Sequence, residues 1–308
     1  MITITLNPAI DVSYHLEQFV VDKGYRVENG HKTAGGKGLN VSRVLNILGE
    51  NPVCTGFLGG SNGEWIRTQL DKQQLQDQFL PIQGETRTCL AILDDSAGTQ
   101  TELLEKGPTI EEKEATAFLS YFTEALDQTK YVIASGSLPA GLPVDFYCQL
   151  AQLAKERDVR FVLDTSGEAL RKGIEGQPFL IKPNDEELCA YAKQSSLTID
   201  EMIAVAKQLC TNGVGNVLLS LGKDGALLIN EHQVIIASIP TVEAINPVGS
   251  GDSMLAGMTH ALQQGKSLED ALAWACACGT ANAMEAQTGF VQLNHVHDLL
   301  TKIQITTI

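Results

Sequence analysis

Tyr131-Val132-Ile133-Ala134-Ser135-Gly136-Ser137-Leu138-Pro139 is an apolar run that ends abruptly in a turn of small residues. A short apolar run bounded by turn residues reads as a strand buried on both faces, and such strands belong to parallel sheets. Similar runs lie at Val53–Leu58, Arg160–Leu163, Phe179–Ile181 and Val217–Ser220. Helix-length stretches separate them, among them Glu111–Gln128, Asp145–Arg157 and Ile199–Asn212. Strand and helix in alternation predict βαβ units, an α/β fold with helices on both faces of a mainly parallel central sheet. Ligands of such sheets bind beyond the carboxyl ends of the strands, where the turn 135–139 falls.

Two segments, about 11–33 and 86–104, break this alternation. Ile10, Val12, Tyr14 and Leu16 share one parity, as do Cys89, Ala91 and Leu93, so each segment predicts a half-buried antiparallel strand. Together they predict a small β-sheet lid. No internal repeat, low-complexity tract or linker marks a boundary, so residues 1–308 read as a single domain carrying that lid.

Composition narrows the function. The net charge of −15 argues against nucleic acid or an anionic membrane as partner. It leaves a phosphorylated small molecule open, because local amides, Lys, Arg and a divalent cation can hold phosphate on an acidic protein. No apolar run reaches the ~18 residues of a membrane span, and Met1–Leu6 alternates like a strand and lacks signal-peptide features. Seven scattered cysteines without a CxxC pair predict reduced, buried thiols in a cytoplasmic protein.

The chemistry concentrates in Asn246-Pro247-Val248-Gly249-Ser250-Gly251-Asp252-Ser253, which runs into the apolar Met254–Met258. Glycines at a helix N-terminus free backbone amides, and the helix dipole points the same way, so the turn suits an anion. Asp252 would repel a resident anion. It fits one in transit, a phosphoryl group whose acceptor hydroxyl must lose a proton to a base. Read alone, Asp252 is equally an ordinary N-cap.

Gly35-Gly36-Lys37-Gly38-Leu39-Asn40, followed by Val41, Val44, Leu45 and Leu48, is a glycine loop entering an amphipathic helix; it fails the P-loop spacing. There the backbone can approach a small polar ligand while Lys37 and Asn40 bond its hydroxyls or phosphate. Asp11 ends Asn7-Pro8-Ala9-Ile10-Asp11 at the sheet's carboxyl edge and can accept from sugar hydroxyls, or simply cap a turn. Arg87 at the lid base and Arg26 in the other lid segment suit phosphate by their planar fork, against surface ion pairing as the commoner fate. Lys182-Pro183-Asn184-Asp185-Glu186-Glu187 can order a hydrated Mg²⁺, or be a solvated first helical turn. Ser220-Leu221-Gly222-Lys223-Asp224-Gly225 reads as a strand ending in a glycine turn, suited to a nucleotide. The six histidines form no ligand-spaced cluster.

In this order, these motifs resemble the PfkB carbohydrate kinases of the ribokinase-like fold along essentially the whole chain. The opening N-P-A-I-D and the loop A-G-G-K-G-L-N resemble the branch that acts on phosphorylated ketohexoses. Gly84-Glu85-Thr86-Arg87 and Glu285-Ala286-Gln287-Thr288-Gly289 are most similar to members that take tagatose 6-phosphate in lactose and galactose breakdown; those that take fructose 1-phosphate come next.

The resemblance implies a three-layer sandwich and ATP-dependent phosphorylation of a sugar-phosphate 1-hydroxyl. It makes Asp252 the base and the amides of Gly249, Ser250 and Gly251 the anion hole. Asp11, Gly35, Gly36, Lys37, Asn40 and Ser137 would orient the sugar, with Arg87 and either Arg26 or Lys37 on its 6-phosphate. Lys182, Asn184 and Glu187 would serve the ATP phosphates and Mg²⁺, Glu187 through water. Ser220, Gly222, Gly225 and Asn282 would line the nucleotide. Many ribokinase-like enzymes bind a monovalent cation beside the hole. Here Asn246 and Val248 stand where others carry acidic and threonine residues, which argues against K⁺ dependence. The remaining alternative is a non-catalytic sugar-phosphate binder on the same fold. Exposed lid edges predict a homodimer through the lid.

Overall fold

The structure, a computed structural model, describes residues 1–28 and 30–308; Asn29, inside the expected lid segment 11–33, lies outside the described residues. Seven strands run parallel in the spatial order Gln76–Asp77, Val53–Gly59, Ile2–Thr5, Tyr131–Ser135, Arg160–Asp164, Leu180–Ile181 and Asn216–Ser220. Leu80–Ile82 adds a further parallel partner to Val53–Gly59. Beyond Asn216–Ser220 the sheet continues antiparallel through Ala226–Ile229, Val234–Ser238 and Gln304–Thr307.

Alternation along the strands sends side chains into two cores. Ile4, Val132, Ala134, Phe161, Leu163 and Val217 face one side, against Phe118, Phe122, Tyr147, Leu150, Leu170 and Leu209. Tyr131, Ile133, Val162, Leu180 and Leu218 face the other, against Val44, Leu45, Leu255, Met258, Leu272 and Val296. Two helical layers therefore sandwich the sheet, the ribokinase-like arrangement expected. From Ile2–Thr5 the chain builds first toward Gln76–Asp77 and then, from Tyr131, in the opposite direction. The reversal lies between Ile2–Thr5 and Tyr131–Ser135, and a crevice beyond their carboxyl ends is the natural ligand site.

The second sheet has the order His31–Gly35, Ala9–Leu16, Arg87–Asp94, Thr99–Leu104. Its two central strands run parallel, with Ala9 opposite Arg87 and Leu16 opposite Asp94, and only the outer pairs are antiparallel. This corrects the expectation of antiparallel strands throughout. Both central strands leave the carboxyl edge of the main sheet outward, so they share a direction, and each returns through an antiparallel neighbour. Ile10, Val12 and Leu90 pack on Ile66 and Leu70 of helix Gly60–Lys72. The apolar parity on the second strand is thus that of Leu90; Cys89, Ala91 and Leu93 lie on the opposite face, beside Asp11 and Ser13.

Candidate active site

Helix Ser250–Gln263 opens at Gly249, whose φ of +81° is left-handed backbone. A Cβ there would lie 2.7 Å from Thr288 Cγ2 and 3.0 Å from Gly289 N, so glycine is required twice over. Ser250 N donates to Pro247 O at 3.2 Å and Ser253 N to Gly249 O at 2.9 Å. Among the described residues, the amides of Gly249, Gly251 and Asp252 find no acceptor. Of the three amides expected to face an anion, that of Ser250 is spent closing the turn, while that of Asp252 is free beside those of Gly249 and Gly251. Lys182 Nζ stands 3.1 Å from where a Gly251 Cβ would lie, so an ammonium adjoins these amides. Unpaired amides at a helix N-terminus beside a buried ammonium fit a phosphoryl group.

Asp252 is 5% exposed, and its Oδ2 accepts from Asn40 Nδ2 at 2.7 Å. Burial, then the charge of Asp164, pushes its carboxyl up to about 6, against the pull of Lys37, Asn40 and Lys182. A carboxylate so placed is a stronger base than a solvated one and remains ionised at neutral pH.

Asp164, absent from the expected set, organises the floor. It ends strand Arg160–Asp164, in register with Ser135, which donates to Oδ2 at 3.3 Å. Oδ1 receives Lys37 Nζ at 3.5 Å and Lys182 Nζ at 3.4 Å. Burial would raise this carboxyl, but Lys182 and Lys37 together hold it below the usual range, and Asp164 in turn raises Lys37. The sequence carried a signal for it, an acid directly after an apolar strand, the same signal that singled out Asp11.

Asp11 reaches the site from the lid. Its carboxylate covers Gly35, where a Cβ would come within 1.9 Å of Oδ2. Burial pushes Asp11 up to about 6, while Arg43, Arg87 and the Gly36 amide oppose the shift. Gly36 caps helix Lys37–Ile47, which brings Lys37 and Asn40 into the crevice. Arg87 Nε and Nη2 donate to Asn7 O at 3.3 and 2.9 Å, and Nη1 to Glu105 O at 2.8 Å, anchoring the lid to its base. Asn7 Nδ2 reaches Ser137 Oγ at 3.3 Å. Arg26 is exposed on the loop between Ala9–Leu16 and His31–Gly35.

On the far side, Asn184 and Glu187 satisfy each other. Glu187 N donates to Asn184 Oδ1 at 2.7 Å and Asn184 N to Glu187 Oε2 at 3.0 Å, a capping box for helix Asp185–Ala192. Glu187 Oε1 is left for a further partner, and one carboxylate with phosphates and water suits Mg²⁺. Asn184 bridges to Ser220, so the turn carrying Gly222 and Gly225 lies at the same edge. Asn282, expected to line the nucleotide, is fully buried and braces the turn before Asp252. Its Nδ2 donates to Val248 O at 2.9 Å, and its Oδ1 accepts from Ser253 Oγ, Gly289 N and Phe290 N at 3.0, 2.9 and 3.3 Å. Asn246 Nδ2 donates to Ala286 O at 3.1 Å and Thr288 Oγ1 at 3.2 Å, tying the same two loops.

Residues 3–293 match the family described as pfkB family carbohydrate kinase. The chain belongs to that family. This pfkB kinase is 41% identical over 308 residues to a tagatose-6-phosphate kinase of Staphylococcus epidermidis, covering 99% of both chains. The phosphofructokinase-2 of Escherichia coli, solved with potassium, superposes with a TM-score of 0.92 at 27% identity and 98% coverage of each chain. The same enzyme with fructose 6-phosphate gives 0.89 at 26%, again at 98% of each chain. The pfkB kinase is a phosphotransferase acting on an alcohol. Among its described residues, no helix is long and apolar enough to cross a membrane. Its seven cysteines are all buried and free.

Proposed function

We propose that this kinase transfers the γ-phosphoryl group of ATP to the 1-hydroxyl of tagatose 6-phosphate, giving tagatose 1,6-bisphosphate and ADP. The observation that carries it is Asp252, held by Asn40 beside three unpaired amides and the Lys182 ammonium. The 41%-identical relative, matched from end to end, supports the sugar. In this reading Asp252 takes the proton as the 1-hydroxyl oxygen attacks γ-phosphorus, and the bond to the β–γ bridging oxygen breaks. The amides of Gly249, Gly251 and Asp252, with Lys182, hold the charge of the group in transit. Lys37, Asn40 and Asp11 orient the sugar. Mg²⁺, when bound, offsets phosphate charge, and Glu187 is the residue to hold it, through water.

The sugar 6-phosphate falls to Arg87, whose guanidinium is already fixed by two carbonyls at the lid base. Arg87→Ala is expected to raise the sugar-phosphate KM by about 10–100-fold with kcat little changed, as charged hydrogen bonds are worth about 1.5–3 kcal/mol. An unchanged KM removes Arg87 from the phosphate site. ADP release with tagatose 6-phosphate, fructose 6-phosphate and fructose 1-phosphate tests the whole reading. Tagatose 6-phosphate should give the highest kcat/KM. Preference for fructose 1-phosphate would replace the substrate, and no ADP release with any of the three would make the chain a binder.

The buried free thiols support a reducing, cytoplasmic setting. A second copy of the chain is the expected partner of the lid, whose edge strand Thr99–Leu104 is exposed throughout, with Leu103 and Leu104 at 58% and 64%. A monomer by light scattering contradicts that pairing.

A further inference from the structure

Arg43 sits between Val41 and Val44 on a helix buried from Gly38 to Leu45, where an apolar side chain would be expected. It is 6% exposed. Its Nη1 donates to Ala34 O at 2.6 Å, and its Nη2 to Thr288 O at 3.3 Å and to Asn40 Oδ1. Its Nε is buried without a partner. Burying a guanidinium costs several kcal/mol, and an apolar replacement of similar volume is often neutral or better for stability. The packing of this helix therefore does not account for an arginine.

The two ends of the Asn40 amide do account for it. A guanidinium carries only donors, so it can face Oδ1 alone. That leaves Nδ2 toward Asp252, where it donates to Oδ2 at 2.7 Å. The flipped amide would press Oδ1 against the carboxylate. The Ala34 and Thr288 carbonyls, from the lid strand and the C-terminal loop, fix the guanidinium itself. With Oδ2 held, Asp252 keeps Oδ1 free for the substrate proton.

We infer that Arg43 is a positioning residue, which locks the Asn40 amide and through it presents one oxygen of Asp252 to the sugar hydroxyl. The inference rests on the reading of Asp252 as the base. Asp252 is faced by Asp164, Lys37 and Lys182 as well as Arg43, and Arg43 by Asp11, Asp252 and Cys54. Removing the Arg43 charge takes away a group that favours the ionised carboxylate.

The test compares Arg43→Met, Arg43→Lys, Asp252→Asn and the double variant Arg43→Met/Asp252→Asn by ADP release across pH, with folding checked by circular dichroism. Wild-type turnover with loss in Asp252→Asn establishes the base on its own; an active Asp252→Asn sinks that reading whatever Arg43 does. Given the base, Arg43→Met is expected to lower kcat at least about tenfold, because misplacement of about 1 Å can cost about 10²-fold. Its ATP KM should hold, and its acid limb should move to higher pH. Added to Asp252→Asn, it should cost little more, since residues acting as a unit are not additive. A merely structural role would leave the acid limb in place and multiply the losses. Arg43→Lys keeps the charge without the fork, so kcat should fall with the acid limb held, and this variant decides if Arg43→Met does not fold. Wild-type kcat in a folded Arg43 variant, or fully multiplicative losses, overturns the inference.

Discussion

Asp252→Asn is expected to cut kcat by at least about 10²-fold while ATP and sugar phosphate still bind, since acid–base help of this kind is worth about 10²–10⁴-fold. The introduced amide fits the same space and can accept from Asn40 Nδ2, so binding groups stay where they are. Turnover within a few-fold of wild type would remove Asp252 as the base.

The same variant should be more stable than wild type at neutral pH. The Asp252 carboxyl rises from 3.8 unfolded to about 6 folded, so folding takes up a proton between those values. Stability from this group is full below about 4 and is lost as pH rises through about 6. The difference, 6 − 3.8 or about 2 units, corresponds to up to about 3 kcal/mol. Urea unfolding should show the variant's advantage at pH 7.5 and its decline toward pH 4.5. An advantage independent of pH would mean that the buried charge is not its source.

Asp164→Asn is expected to do the reverse, costing about 3–5 kcal/mol, because removing one member of a buried charge cluster strands the others. Lys37 and Lys182 would then share a site without the carboxylate that both approach within 3.5 Å. The folded carboxyl is held below its unfolded value, so its contribution is present above about pH 4 and lost as pH falls through the folded value. The gap between wild type and variant should persist from pH 8 to 5 and close only in stronger acid. A stability loss below about 1 kcal/mol at pH 7.5 would show that the two lysines do not depend on Asp164. Turnover should fall as well, since one ammonium adjoins the anion turn and the other the sugar loop.

The layers were legible because buried parallel strands are apolar throughout: Tyr131–Ser135 is the strand expected, and Val53–Gly59 and Arg160–Asp164 each run one residue further. Asp164 lies directly after the apolar run that ends at Leu163, yet its role depends on Lys37 and Lys182, which approach it from distant parts of the chain. Parity in the lid told which residues shared a face but not which way neighbouring strands ran, so the parallel central pair was not readable. The pattern Gly-Ser-Gly-Asp located the anion turn without revealing which amides remain free, because that depends on how Pro247 turns the chain. Arg43 and Asn282 act across long stretches of chain, on Thr288 and on Val248, and spacing cannot register such meetings.

Asn282 also bears on when the enzyme comes into being. The turn before Asp252 is steadied by a side chain thirty residues later, whose own carbonyl is completed by Gly289 and Phe290. During synthesis from the N-terminus, the sheet, the lid and Lys182 emerge well before these partners. Until Asn282 and its partners emerge, the turn before Asp252 lacks the side chain that holds Val248 O in the folded protein.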